Sequence, residues 1–166
     1  MYTDALDLYR KRQYAEAERI LRALVSESEK SAQTGTGDYR NASNALGVVL
    51  RAQGRAGEAV AFYERAISEV GNDAGILSNL GNALRDSGQE LAALEAQRYA
   101  VILEPNSAMF HHNLGIALTG RGQFEEALWH YERALKLQPD FTAAAWDRAR
   151  ALLHMGDYGR GWPAYE

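Results

Sequence analysis

The chain has 166 residues, of which 46% are hydrophobic and 24% charged, and its formal net charge at pH 7 is −4. This length and apolar content suit one continuous core, while the interspersed charges exclude a general attraction to the phosphates of nucleic acids. The absence of cysteine excludes disulfides and thiolate metal sites, and no apolar run approaches the roughly 20 residues of a membrane span. Charged residues interrupt the first predicted helix, which therefore resembles no signal peptide, and we expect a cytoplasmic protein.

The first segment, at about residues 1–31, predicts two helices separated by a turn near Arg12 and Gln13. Apolar residues fall on one side of each helix, at Ala5, Leu8, Tyr14, Ala17, Leu21 and Leu24. Residues 32–39 are polar and contain two glycines, which predicts a loop.

Three units that repeat at a spacing of 34 residues follow this loop, and a Leu-Gly pair marks each of them. The pairs are Leu46-Gly47, Leu80-Gly81 and Leu114-Gly115. Small residues recur at two fixed offsets, first at Ala59, Ala93 and Ala127 and then at Ala66, Ala100 and Ala134. Two of the units end at prolines, Pro105 and Pro139. The pattern predicts helix pairs at about 40–73, 74–107 and 108–141, with a partial unit at 142–166.

These residues and their spacing resemble the tetratricopeptide repeat family, whose consensus places Leu, Gly, Ala, Tyr and Pro at the same positions. The unit at 108–141 is the cleanest match, although His111 stands where the family often has Trp. The resemblance implies an all-α fold, a right-handed superhelical array of antiparallel helix pairs that forms a single domain over residues 1–166. It also implies close helix crossings at Gly81 and Gly115, with Ala93 and Ala127 as the reciprocal small residues.

By the same resemblance, the first helix of each pair lines a concave groove and presents six positions to it that neighbouring units do not need for packing. We expect a peptide or protein segment to bind there, because asparagine offers both donors and an acceptor to an extended backbone. The candidate groove residues are Asn44, Val48, Arg51, Ser78, Asn79, Asn82, Arg85, His112, Asn113, Ile116, Trp146, Asp147 and Arg150.

Asn79 and Asn113 occupy the same position in consecutive units, and Asp147 follows in the next. This ladder is similar to the asparagine ladder in the repeat region of O-GlcNAc transferases, where asparagines hold the backbone of the polypeptide substrate. Ala45 interrupts the ladder one unit earlier, and solubility of the helix surface is the alternative explanation for the two asparagines.

The C-terminal run from His154 to Glu166 resembles the segment that precedes the catalytic domain in bacterial glycosyltransferases with such repeats. The last predicted helix begins near Gly161 or Trp162, because proline at 163 suits a first helical turn. The sequence thus stops inside this predicted helix, and we expect the natural protein to continue past Glu166. The alternative is a complete small adaptor. An apolar terminal unit also predicts self-association, with contacts at Trp146, Leu153, Trp162 and Tyr165.

Catalytic and cofactor motifs are weak. The four histidines are His111, His112, His130 and His154. No carboxylate lies at a metal-ligand spacing from them, so we expect no metal site and no cofactor. Four functions were compared: a peptide-binding adaptor, the substrate-recruiting segment of a protein glycosyltransferase, a self-associating assembly protein and a free-standing enzyme. The sequence favours the adaptor, with the glycosyltransferase segment as the alternative and no catalysis in this chain.

Overall fold

The computed structural model describes residues 1–30 and 37–162, and in these ranges the chain forms helices and no strands. The helices are α1 (Tyr2–Arg10), α2 (Tyr14–Lys30), α3 (Gly37–Ala52), α4 (Ala56–Val70), α5 (Ala74–Asp86), α6 (Glu90–Leu103), α7 (Ala108–Gly120), α8 (Phe124–Leu137), α9 (Thr142–His154) and α10 (Tyr158–Gly161). They belong to two compact units, unit 1 at Met1–Gln89 and unit 2 at Glu90–Glu166. The predicted all-α repeat fold of paired helices is confirmed, whereas its grouping into a single domain stays a prediction.

Within each unit, every helix packs against the next one along the chain. In unit 1, α3 also contacts α5, and in unit 2, α7 also contacts α9. These alternate helices are the first members of successive pairs, so each unit has a layer formed by first helices. Stacking of this kind buries apolar faces that a single pair would leave in water. The layer is also the place where the predicted groove residues lie.

The same tight turn ends the first helix of several pairs. In each case a left-handed residue follows the helix, and the amide of the next residue bonds back to the carbonyl of a leucine in the last helical turn, as from Arg55 to Leu50 at 3.0 Å. Glycine adopts this conformation without steric cost. The left-handed glycines of these turns lie 34 residues apart, at Gly54, Gly88, Gly122 and Gly156. Arg12, with φ of 60°, supplies the equivalent turn after α1.

Two helical glycines allow a tyrosine ring to lie directly against the facing helix. A Cβ atom on Gly47 would overlap the ring of Tyr63, and one on Gly115 would lie 2.5 Å from Cε1 of Tyr131. The close crossing expected at Gly115 is therefore present. The atoms nearest to that position belong to Tyr131, whose ring fills the space that the missing side chain leaves, and Ala127 is fully buried in the same core cluster.

Two predicted boundaries were wrong. Helix α3 begins at Gly37, inside the expected loop at 32–39, and its first turn carries the fully buried Tyr39 into the core. Residues 32–36 lie outside the described residues. Helix α10 begins at Tyr158 rather than near Gly161, because the Asp157 carboxylate accepts a hydrogen bond from the Arg160 amide at 3.2 Å and caps the helix.

Candidate functional site

The predicted groove residues of unit 1 lie together on the layer formed by α3 and α5, here called the unit 1 face. Most of their side chains are half-buried, whereas Ser78 is only 2% exposed and offers little surface to a partner. The half-buried members are Asn44, Val48, Arg51, Asn79, Asn82 and Arg85.

Asn44 and Asn79 form a direct bond between the two first helices of unit 1. Nδ2 of Asn79 donates to Oδ1 of Asn44 at 3.1 Å. The bond uses one donor and one acceptor, and each amide retains its other polar atom. The amide pair therefore presents Nδ2 of Asn44 as a donor and Oδ1 of Asn79 as an acceptor, the two groups that a peptide backbone needs.

The arginines of the unit 1 face are tied to a carboxylate. Nε and Nη2 of Arg51 both donate to Oδ2 of Asp86, at 2.9 and 2.6 Å, and Nη2 of Arg85 lies 3.5 Å from Oδ1 of the same side chain. Because Asp86 neutralises part of their charge, the two arginines are not a simple anion-binding pair. This end of the unit 1 face carries one excess positive charge.

The unit 2 face, formed by α7 and α9, has a different chemistry. His112 is only 8% exposed, and its Nε2 lies 2.8 Å from Oδ2 of Asp147, so the imidazole donates to the carboxylate. Nη1 of Arg150 lies 3.1 Å from the other oxygen of Asp147. Trp146 remains 43% exposed beside them. The predicted residues Asn113 and Ile116 are half-buried on α7.

The bonds Asn44–Asn79 and His112–Asp147 join equivalent repeat positions. In each, the fifth residue of one 34-residue repeat contacts the sixth residue of the next repeat, 35 residues later. The expectation that neighbouring repeats make no use of these positions is therefore wrong at Asn44, Asn79, His112 and Asp147. Polar side chains on the faces bridge successive first helices as well as facing outward.

A second cluster, which sequence reasoning missed, surrounds a pair of buried histidines in unit 2. Nδ1 of His111 lies 2.9 Å from Nδ1 of His130, and Nε2 of His111 lies 3.0 Å from the carbonyl oxygen of Pro105. The only available signal was His111 at a position that usually holds an aromatic residue. His130 has no consensus role, so the 34-residue pattern could not have paired them.

Hydrogen-bond chemistry fixes the tautomers of the neutral histidine pair. A carbonyl can only accept, so Nε2 of His111 carries its proton and Nδ1 of His111 is the acceptor. Nδ1 of His130 must then donate, and Nε2 of His130 is left as a bare acceptor. Burial lowers the pKa of His130 to about 4, with a further contribution from His111, and burial also lowers the pKa of His111. Both rings are therefore neutral at pH 7.

The histidine pair borders a cleft of about 480 Å³ between the end of α6 and helices α7 and α8, here called the histidine cleft. Its apolar walls are Val101, Pro105 and Trp129, and Trp129 is 58% exposed. Charged side chains complete the lining, namely Glu132, Arg133 and Lys136.

Residues 1–30 and 37–162 contain no group of three or more His, Cys, Asp or Glu side chains placed to hold a metal ion. In the same ranges no helix combines the length and hydrophobicity that crossing a membrane requires. The expectations of no cofactor, no catalysis and a cytoplasmic location stay predictions.

Comparison with known proteins agrees with this geometry. A family model described as Tetratricopeptide repeat matches residues 2–75, and another with the same description matches residues 108–141. The fold is similar to that of MamA, residues 41 to the end, from Desulfovibrio magneticus RS-1, with a TM-score of 0.76 and 19% identity over 99% of this chain and 89% of that chain. A candidate kinesin light chain of Podosopora anserina, with nearly identical TPR-like repeats, gives a TM-score of 0.78 and 19% identity over 99% and 89%.

At such identities the solved structures show the fold alone, and among curated proteins none matches this sequence. The two repeat models, however, share one description and together cover about two thirds of the residues. The chain therefore belongs to the tetratricopeptide repeat family.

Proposed function

We propose that this chain, like the protein-interaction scaffolds of its family, is a non-catalytic cytoplasmic module that binds an extended peptide of another protein. The unit 1 face and the unit 2 face are the proposed contact surfaces. The observation that carries the proposal is the Asn44–Asn79 amide pair, which retains one donor and one acceptor after bonding to itself.

An amide pair of this kind suits the backbone of a peptide. The carbonyl oxygen of a bound residue can accept from Nδ2 of Asn44, and its amide can donate to Oδ1 of Asn79. Neither bond depends on the side chain of the peptide, so the pair gives affinity without demanding one sequence. The mutual bond also holds both amides in place before binding, which lowers the entropy cost of ordering them.

The test is selection of a binding peptide followed by calorimetry. A library of random dodecapeptides is panned on the full chain, and the selected peptide is measured against Asn44→Ala, Asn79→Ala and the double variant Asn79→Ala with Asn113→Ala. We expect the double variant to weaken binding by about 1–3 kcal/mol, because buried peptide groups lose their partners. Asn72→Ala, in the exposed turn before α5, is the matched control.

Unchanged affinity in the double variant would remove the two asparagines from the site. A loss of affinity that appears only at temperatures where the variant is partly unfolded would instead indicate a structural role. The calorimetric and melting measurements are therefore made on the same samples, and only a loss of binding in a folded protein supports the proposal.

A second candidate function is recruitment of a polypeptide substrate for a glycosyltransferase domain in the same protein. The specific observation in its favour is that Asn79 and Asn113 hold one repeat position, with Asp147 following. The discriminating observation is the gene sequence downstream of the codon for Glu166. A sugar-nucleotide-binding domain there supports recruitment, and an unrelated continuation or a stop codon refutes it.

A further inference from the structure

The histidine cleft has the properties of a binding site that is separate from the unit 2 face. Its volume of about 480 Å³ lies within the range of about 300–1,000 Å³ that is usual for ligand pockets. It is lined by residues of α6, α7, α8 and the turn at Pro105, and includes none of the predicted groove residues.

One polar atom in the cleft lacks a partner among the residues that the structure describes. Nδ1 of His130 is bonded to His111, and no group in residues 1–30 or 37–162 bonds to its Nε2. The tautomers make this atom an acceptor, so it can bond an O–H or N–H group but not a carboxylate. Because His130 is only 8% exposed, a ligand has to enter the cleft to reach it.

The walls of the cleft suit an aromatic ring. Trp129 packs edge-on against both His111 and His130, at centroid distances of 5.9 and 4.7 Å, yet more than half of its surface remains exposed. Exposed tryptophans beside a pocket are frequent anchors of binding. Together with Val101 and Pro105, the indole offers an apolar surface to a ring that carries a polar tip.

The charge of the cleft favours an acidic neighbour of that ring. Arg133 and Lys136 outnumber Glu132 on the lining, although the chain as a whole has a net charge of −4. Arg133 donates to Oδ1 of Asn106 at 3.1 Å, and within the described ranges neither cation is paired with a carboxylate. The cleft is therefore a local positive site on an acidic protein.

We propose that the histidine cleft binds a tyrosine side chain of a partner protein, flanked in that partner by aspartate or glutamate. The phenol hydroxyl donates to Nε2 of His130, the ring packs against Trp129, and the acidic flank lies near Arg133 and Lys136. Tyrosine fits because it combines an apolar body with a donor at its tip, which phenylalanine lacks.

The test uses the full chain and three blocked pentapeptides: Gly-Asp-Tyr-Asp-Gly, the same peptide with phenylalanine, and the same peptide with both aspartates replaced by asparagine. Binding is followed by NMR through the indole N–H signals of the three tryptophans. The Trp129 signal reports the histidine cleft, whereas the Trp146 signal reports the unit 2 face. Failure here is thus distinguishable from failure of the proposed function.

We expect the tyrosine peptide to shift the Trp129 signal and to bind roughly two- to tenfold more tightly than the phenylalanine peptide, the effect of one hydrogen bond. The asparagine peptide should bind more weakly at low salt. Lys136→Glu, at an exposed position, should weaken the aspartate peptide and favour a version with lysines in place of the aspartates. Trp129→Ala should abolish binding, with the melting curve as the control for folding.

Three results would overturn the proposal. The first is equal affinity for the tyrosine and phenylalanine peptides, which would show that His130 accepts nothing from the ligand. The second is a shift of the Trp146 signal without a shift of the Trp129 signal, because the peptide would then occupy the unit 2 face alone. Absence of any shift at millimolar peptide also refutes the assignment.

Discussion

Units 1 and 2 pack their helices through the same glycine–tyrosine contact, but their faces carry different side chains. Tyr63 lies against Gly47 in unit 1, and Tyr131 lies against Gly115 in unit 2, at repeat positions 68 residues apart. On the faces, unit 1 joins its first helices through two neutral amides, whereas unit 2 uses the imidazole of His112 and a carboxylate. The repeat register therefore determines where helices cross, and the variable side chains determine which bonds join the first helices on each face.

The tyrosine hydroxyls show the same division between a shared position and a local partner. Tyr63 donates to the backbone oxygen of Asn44 at 3.0 Å, while the hydroxyl of Tyr131 lies 3.0 Å from that of Thr119. Both rings are buried, and each hydroxyl needs a partner to avoid the cost of an unsatisfied buried group. The tyrosine ring occupies the same repeat position in both units, but its hydroxyl has a different hydrogen-bond partner in each.

The largest effect is expected from substitutions that disrupt the glycine–tyrosine contact found in both units. Gly47→Leu should destabilise the chain by about 3 kcal/mol and Gly115→Leu by about 1–3 kcal/mol, because a side chain there collides with a buried ring. Gly47 should be the more sensitive, since its Cβ would lie closer to the tyrosine ring. Urea unfolding with both variants measures the difference.

Gly57→Ala is the matched control for these variants, because a Cβ at this position would meet no described atom within 4 Å apart from its chain neighbours and the adjacent helix backbone. It should leave stability unchanged or raise it by about 0.5–1 kcal/mol, since alanine favours helix. A Gly115→Leu variant as stable as the parent would mean that α7 and α8 do not meet at Gly115.

The next effect concerns the bonds that join successive first helices. Asp147→Ala should cost about 1.5–3 kcal/mol, because His112 is buried and loses a charged partner, whereas Asn79→Ala should cost only about 0.5–1.5 kcal/mol. Double-mutant cycles of Asn44 with Asn79 and of His112 with Asp147 separate each bond from its surroundings. Coupling near zero in both cycles would show that these two bonds contribute nothing to stability.

As the pH is lowered, unit 2 should begin to lose stability at a higher pH than unit 1. The folded pKa of His130 is about 4, below the value near 6.5 expected when unfolded, so the unfolded chain takes up the proton first. The stability of unit 2 is then complete above pH 6.5 and falls as pH decreases towards 4, by about 1–2 kcal/mol.

Unit 1 should respond only at lower pH. Burial raises the pKa of Glu18, but hydrogen bonds from Arg22, Gln53 and Arg55 outweigh this, and the net pKa is lowered below its usual 4.5. The stability that Glu18 contributes is therefore present above pH 4.5 and lost below it. Hydrogen exchange of amides around Tyr63 and Tyr131 between pH 7 and 5 compares the units. A double His111→Phe, His130→Phe variant should lose the pH dependence of unit 2.

The sequence predicted the features that depend on periodicity. The helix pairs, the turn near Arg12 and the close crossing at Gly115 all follow from residues that recur every 34 positions or fall on one helix side. Periodicity could not predict which side chains meet between successive repeats, because a bond such as Asn44–Asn79 depends on side-chain length and rotamer. The choice of the candidate face residues stays a prediction.

The histidine cleft was missed for a related reason. Its parts come from three helices and a turn, and only Pro105 belongs to the repeat consensus. His111 departs from the consensus, and its hydrogen-bond partner His130 lies at a position that has no consensus residue. The repeat pattern therefore carries no signal that would bring the two side chains together.

The smallest expected effect is self-association through the C-terminal helices of unit 2. Trp146 and Trp162 are 43% and 60% exposed, Leu153 is half-buried, and Tyr165 lies outside the described residues. Exposed apolar side chains favour contact between copies, but few residues take part, so we expect a dissociation constant no tighter than about 10 μM. Sedimentation from 5 to about 500 μM (a range chosen around that affinity) should show a concentration-dependent mass that Trp162→Ser abolishes. Trp129→Ser, on the histidine cleft, is the control that should still associate. If the chain stays monomeric throughout while amides of α9 are strongly protected, these helices are already well covered and the C-terminal surface is not an interface.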